Sequence, residues 1–188
     1  MKGLIFDCFG VLYGNSTQAF FNRCPEDQRQ ELMDAIKQAD YGFIKHADFV
    51  STAARLCGMD EAEVLHFLRS KHIRNQEMID FVHSVKGQYK TALLSNISNG
   101  GLDGLFADGE LDELFDTVVL SFEHHIVKPH PDIFRLTAQQ LELDVSECIM
   151  IDDLADNCEG AEVSGMRAIQ HVSNQLTFAH INEIVNGV

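Results

Sequence analysis

Short apolar runs that stop on polar residues constrain this chain more than any other feature. Residues 2–7 read KGLIFD, Thr91–Ser95 read TALLS, and Cys148–Ile151 read CIMI before Asp152-Asp153. Thr117–Leu120 (TVVL) and Arg167–Gln170 (RAIQ) are further short candidates. Runs this short, apolar on both faces and separated by helix-like spacing, predict strands of a parallel sheet covered on both sides. Helical spacing is read in Glu26–Ala39, Ala47–Leu56, Glu61–Lys71, Gln76–Lys86 and Pro131–Leu141, and a further helix starts in Asn157–Val163. Pro25-Glu26-Asp27 suits a helix start, and Gly58 a helix stop. No strand is predicted between about Ser16 and Lys86. The fold class expected is therefore α/β, a Rossmann-like doubly wound parallel sheet with a helical insert after its first strand. The core comprises residues 1–13 and 76–188, and the insert residues 14–75, read as a cap.

A chain of 188 residues has room for one domain plus such an insert. Lys and Arg number 14 against 29 Asp and Glu, a net charge of −15. That surface disfavours nonspecific binding to nucleic acid or anionic membranes, while a local cation still permits a small anionic substrate. No apolar run reaches the roughly 18 residues of a membrane span. The opening MKGLIFDCFG meets an acid at position 7, unlike a secretory leader, so a cytoplasmic protein is expected. The five cysteines are odd in number and form no C-x-x-C pair, which argues against a disulfide framework or a structural zinc site. His124-His125 are adjacent, and on a strand such neighbours face opposite ways, a poor chelate.

Asp7, Ser95-Asn96 and Asp152-Asp153 stand at the C-terminal ends of three predicted strands, the edge where open α/β sheets build their sites. Lys128 precedes a helix in Val127-Lys128-Pro129. Three carboxylates at one edge repel each other unless they share a cation, and hard oxygen donors suit Mg²⁺. Ser95 and Lys128 could then hold an anion such as phosphate.

These segments resemble the haloacid dehalogenase superfamily. IFDCFGVL is similar to its first motif, LLSN to its second, VKPHPDIF to its third and IDDLADNCEGAEVSGMRAI to its fourth, in order from residue 5 to residue 169. The flavour is nearest the branch holding bacterial sugar-1-phosphate phosphatases and the phosphatase domain of soluble epoxide hydrolases. The resemblance implies an Mg²⁺-dependent phosphatase of a small phosphorylated metabolite. It makes Asp7 the nucleophile that forms an aspartyl-phosphate. Asp7, Asp153 and the Phe9 carbonyl become metal ligands, with Asp152 acting through a metal-bound water. Ser95, Asn96 and Lys128 bind the phosphoryl group, and Asn157 orients Lys128 or a loop.

One position departs from the pattern. Most such phosphatases carry an aspartate two residues after the nucleophile as general acid and base, and here that residue is Phe9. Loss of a general acid typically forfeits about 10²–10⁴ in rate. His130, His46 or a water is the expected substitute. An aromatic there also resembles the metal-independent 2-haloacid dehalogenases, which tend to lack the acid pair kept here as Asp152-Asp153. A catalytically weak binding or regulatory protein of this fold is the third reading. Asp156 is assigned to a helix start rather than to the site. Cys8 is expected to point away and stay inert, and Phe43 to join Phe20, Phe21, Phe49 and Phe67 in the core of the helical insert, a turn at Gly42 into the cleft being the alternative.

Overall fold

The computed structural model describes residues 1–186. Five parallel strands form one sheet: β1 (Gly3–Phe6), β2 (Lys90–Ser95), β3 (Thr117–Leu120), β4 (Cys148–Asp152) and β5 (Arg167–Gln170), in the order β3-β2-β1-β4-β5. The central strands are buried on both faces, and side-chain alternation sorts them into two cores. Leu4, Phe6, Leu93, Ile149 and Ile151 face one side, and Ile5, Ala92, Leu94, Met150 and Cys148 the other. The first side is covered by α5 (Gln76–Val85) and α10 (Asn174–Asn186), through Met78, Ile79, Val82 and Ile181. The second is covered by α8 (Pro131–Gln140) and α9 (Ala155–Ser164), through Ile133, Phe134, Ala138 and Ala161. Short helices α6 (Glu110–Leu114) and α7 (Ser121–His124) flank β3. This is the doubly wound parallel sheet expected.

Helices α1 (Thr17–Phe21), α2 (Arg29–Asp40), α3 (His46–Cys57) and α4 (Glu61–Lys71) pack around a third core of their own, with Phe20, Leu32, Phe49, Val50, Ala53 and Val64 at its centre. Their ends are set locally. Gly58 closes α3 in the left-handed region (φ 64°), and the Asp60 side chain accepts from the Glu63 N–H to open α4. Pro25 starts a single 3₁₀ turn, Glu26–Gln28, before α2 proper. The two chain segments joining this unit to the sheet run side by side. Gly14 N–H donates to the Ile73 carbonyl and Asn75 N–H to that of Leu12, at 2.8 Å each.

Two expectations are corrected. His124 and His125 lie at the end of α7, not on a strand, and His125 Nδ1 sits 2.6 Å from the Tyr41 carbonyl. Phe43 enters neither the core of the four helices nor the cleft. It is 66% exposed and stacks between Tyr41 and His125, because the backbone at Gly42 (φ 74°) runs close against Phe122. Beyond α9 and β5 lies a further helix, α10, in a segment without readable helical spacing. Among the described residues no helix is long and apolar enough to cross a membrane.

Candidate active site

Strand order reverses at β1, which has β2 and β3 on one side and β4 and β5 on the other. Such a reversal leaves a crevice at the C-terminal edge. Asp7 follows β1 directly, Ser95 ends β2 and Asp152 ends β4. Phe6 pairs with Ile151, so the next residues, Asp7 and Asp152, stand level.

Lys128 joins them. Its Nζ lies 2.8 Å from Asp7 Oδ1 and 2.6 Å from Asp152 Oδ2, and donates to the Leu94 carbonyl at 3.2 Å. Burial disfavours this ammonium, but Asp152 and Asp7 outweigh it and hold the lysine above its ordinary range. The loop is fixed by Asn96, whose side chain accepts from Lys128 N–H (2.8 Å) and donates to its carbonyl (2.9 Å). Asn157, in the first turn of α9, donates to Asp152 Oδ1 at 2.9 Å, as does the Leu154 N–H. Asn157 therefore reaches Lys128 only through Asp152.

Asp7 Oδ1 accepts a second bond, from the Cys8 N–H at 2.7 Å, while Oδ2 has no hydrogen-bond partner among the described residues. Burial pushes Asp7 up to about 7 against the pull of Lys128, with Asp152 and Asp153 adding to the rise. Asp153 is also raised, by burial and then by Asp152. Donor oxygens of Asp7, Asp152 and Asp153 lie within 4.8 Å of one another. Asp153 Oδ1 is buried without a partner, as is Ser95 Oγ. Buried polar atoms are rarely left so, and each calls for a partner outside the chain. Gly10, at φ 94°, wraps the backbone closely around Asp153; a Cβ there would overlap its carboxyl. Three carboxylates against one ammonium, with one oxygen orphaned, fit a divalent cation, and the all-oxygen donor set fits Mg²⁺.

The structure thus brings together Asp7, Ser95, Asn96, Lys128, Asp152, Asp153 and Asn157, with Phe9 on the adjoining loop. His130 lies apart. Its ring is 58% exposed and caps α8 by accepting from the Asp132 N–H. Cys8 is buried on the core side, and burial raises its thiol well above the ordinary range. A cleft of about 140 Å³ between the four-helix unit and the sheet opens beside Phe9 and Asn96, and Asp40 and His46 also line it. Sequence reasoning missed Asp40, since nothing marks it among 29 acids.

The haloacid dehalogenase-like hydrolase family matches residues 1–165, and the chain belongs to it. It is a hydrolase of the fold and motif order that the sequence implied. It is 25% identical over 163 residues to the fructose-1-phosphate phosphatase YqaB of Escherichia coli (strain K12), covering 86% of this chain and 80% of that one. It is 27% identical over 155 residues to a glyceraldehyde 3-phosphate phosphatase of Pyrococcus furiosus (strain ATCC 43587 / DSM 3638 / JCM 8422 / Vc1), with 74% and 61% covered, so it spans about three fifths of that relative. An (S)-2-haloacid dehalogenase of Xanthobacter autotrophicus is 22% identical over 207 residues, covering 100% of this chain and 81% of that relative. The solved structure of a HAD family enzyme from Bacteroides thetaiotaomicron, in complex with magnesium and inorganic phosphate, superposes with a TM-score of 0.75. Its identity is 21%, over 93% of this chain and 96% of that one, a likeness of fold.

Proposed function

We propose that this hydrolase is an Mg²⁺-dependent phosphatase of a small phosphorylated metabolite, of sugar-phosphate type, working in the cytoplasm. The observation that carries the reading is the buried Asp7–Lys128–Asp152 set beside an unpartnered Asp153 oxygen. Asp7 Oδ2, free of donors, attacks phosphorus, and the P–O bond to the leaving group breaks as the aspartyl-phosphate forms. Lys128 and the Ser95 hydroxyl hold the phosphoryl oxygens, and Asn96 keeps Lys128 in place. Asn157 orients Asp152, which in turn holds the lysine. Asp7, Asp153 and the Phe9 carbonyl would hold Mg²⁺, with Asp152 reaching it through water; the ion would neutralise charge shared by phosphate and carboxylates. Residues 14–75 act as a cap that excludes bulk water and selects the leaving group. The five free cysteines suit a reducing compartment.

Metal-independent dehalogenation is the second reading. Phe9 and the Xanthobacter relative favour it; the crowded carboxylates and orphaned Asp153 oxygen weigh against it. The test is a panel of aryl and sugar phosphates and 2-haloacids, with Mg²⁺ or with excess chelator, run beside Asp7→Asn. Phosphate release that needs Mg²⁺ and is lost in Asp7→Asn is expected. Halide release in chelator would replace this reading with the second. No turnover of any kind, with Mg²⁺ still bound, would make the chain a binding protein.

A further inference from the structure

With Phe9 where an acid is usual, the leaving oxygen has no assigned proton donor. Three titratable side chains line the cleft between the four-helix unit and the sheet: His46, His72 and Asp40. The two histidines are engaged. His46 Nδ1 is 2.8 Å from Ser98 Oγ, and His72 Nε2 is 3.2 Å from Ser16 Oγ with its ring stacked on Phe9. Burial holds both imidazoles below their ordinary range, so at neutral pH they are uncharged and poor acids.

Asp40 differs on each count. Its carboxyl has no hydrogen-bond partner among the described residues, and it lines the same cleft as Phe9 and Asn96. Its backbone is anchored to the sheet side. The Asp40 carbonyl accepts from Ser121 Oγ at 2.6 Å, and Ser121 Oγ in turn accepts from the Ile97 N–H at 2.9 Å. One hydroxyl therefore ties the end of α2 to the loop that follows Ser95 and carries Asn96. The next residue is held too, by His125 Nδ1 on the Tyr41 carbonyl. A free carboxyl on a pinned backbone, lining the cleft that also reaches Phe9 and Asn96, suits a proton donor. Burial pushes it up to about 7, against the pull of Lys128, so a large share is protonated at neutral pH.

We propose that Asp40, on the four-helix unit, supplies the general acid and base that Phe9 cannot. The proposal rests on the phosphatase reading. As the phosphorus bond to the leaving oxygen breaks and its electron pair moves onto that oxygen, the Asp40 carboxyl gives the oxygen its proton. An alcohol leaves, Asp7 carries the phosphoryl group, and Asp40 is a carboxylate. In the second step Asp40 takes a proton from the attacking water as its oxygen bonds to phosphorus. The Asp7–phosphorus bond breaks, and Asp7, inorganic phosphate and protonated Asp40 are restored.

The test compares wild type, Asp40→Asn and His46→Gln, each as the full chain with Mg²⁺, on p-nitrophenyl phosphate and on an alkyl phosphate such as glycerol phosphate. The aryl leaving group departs without a proton; the alkoxide does not. Asp40→Asn should lower kcat on the alkyl phosphate by about 10²–10⁴ and on the aryl phosphate by less than about tenfold. If Asp40→Asn does not fold by circular dichroism, Asp40→Ser takes its place. Equal losses on both substrates, no loss on either, or the selective loss in His46→Gln instead would overturn the assignment of Asp40. Wild type that turns over only the aryl phosphate would also overturn it. Wild type that turns over neither would bring down the phosphatase reading itself.

Discussion

Lys128 and Asp152 have side chains 1% and 0% exposed, and Asp7 only 9%. A charge so far from water is tolerated only as part of a compensated set. Lys128→Met removes the compensation and leaves two buried carboxylates facing each other. Without metal, at pH 7, the variant should lose about 3–5 kcal/mol of unfolding free energy. Urea denaturation followed by circular dichroism measures it, and an unchanged midpoint would refute the electrostatic account of the set. The sequence exposed the members that end strands, because a buried run halted by Asp7, by Ser95-Asn96 or by Asp152-Asp153 breaks its own pattern. It could not expose the pairing itself. The bond from Asn157 to Asp152, rather than directly to Lys128, depends on how α9 is rotated against β4. Asp40 was unreadable for the same reason: its identity as a cleft residue comes from Ser121, 81 positions away.

At the scale of elements, the strands and most long helices were legible within about three residues, since each carries its own period and caps. Helices of four or five residues, such as α6 and α7, are shorter than the window a period needs. Helix α10 escaped for another reason. Leu176 is exposed while Phe178 stacks on Phe81 at 4.4 Å, so only the sheet side of a weakly patterned segment is held. Helix α9 shows packing overruling propensity. Gly160 sits in its middle, where alanine would favour the helix by about 1 kcal/mol. A Cβ there would overlap the Pro129 carbonyl and lie 2.8 Å from Pro129 Cβ. Overpacking of that kind costs about 1–3 kcal/mol. Gly160→Ala should therefore destabilise by up to about 2 kcal/mol net, read from the thermal midpoint. A stabilised variant would show that α9 does not press on the Lys128-Pro129 loop.

For the whole molecule, the four-helix unit carries its own core, yet its contact with the sheet creates the environment of Asp40. That docking makes a pH signature. Asp40 has a folded pKa of about 7 against an ordinary 3.8, so between those values the folded chain keeps a proton that the unfolded chain releases. Its contribution to stability is full below pH 3.8 and is lost as pH rises toward 7, by up to about 1.4 kcal/mol per pH unit. Asp40→Asn removes that slope. The stability difference, wild type minus variant, should fall between pH 4 and pH 7 in urea titrations. A difference that stays flat would mean that the cleft is open to water around this carboxyl.

The sequence by itself determined the sheet, its two covered faces, the helical insert and the strand-end residues of the candidate site. Those follow from periodicity and from polar residues placed where apolar runs stop, both local properties of the chain. Only the tertiary structure decided which charges neutralise which, that Phe43 lies on the surface and His130 away from the cleft, and that Asp40 faces it. Each depends on the angle and depth at which the elements meet, and no local pattern encodes that geometry.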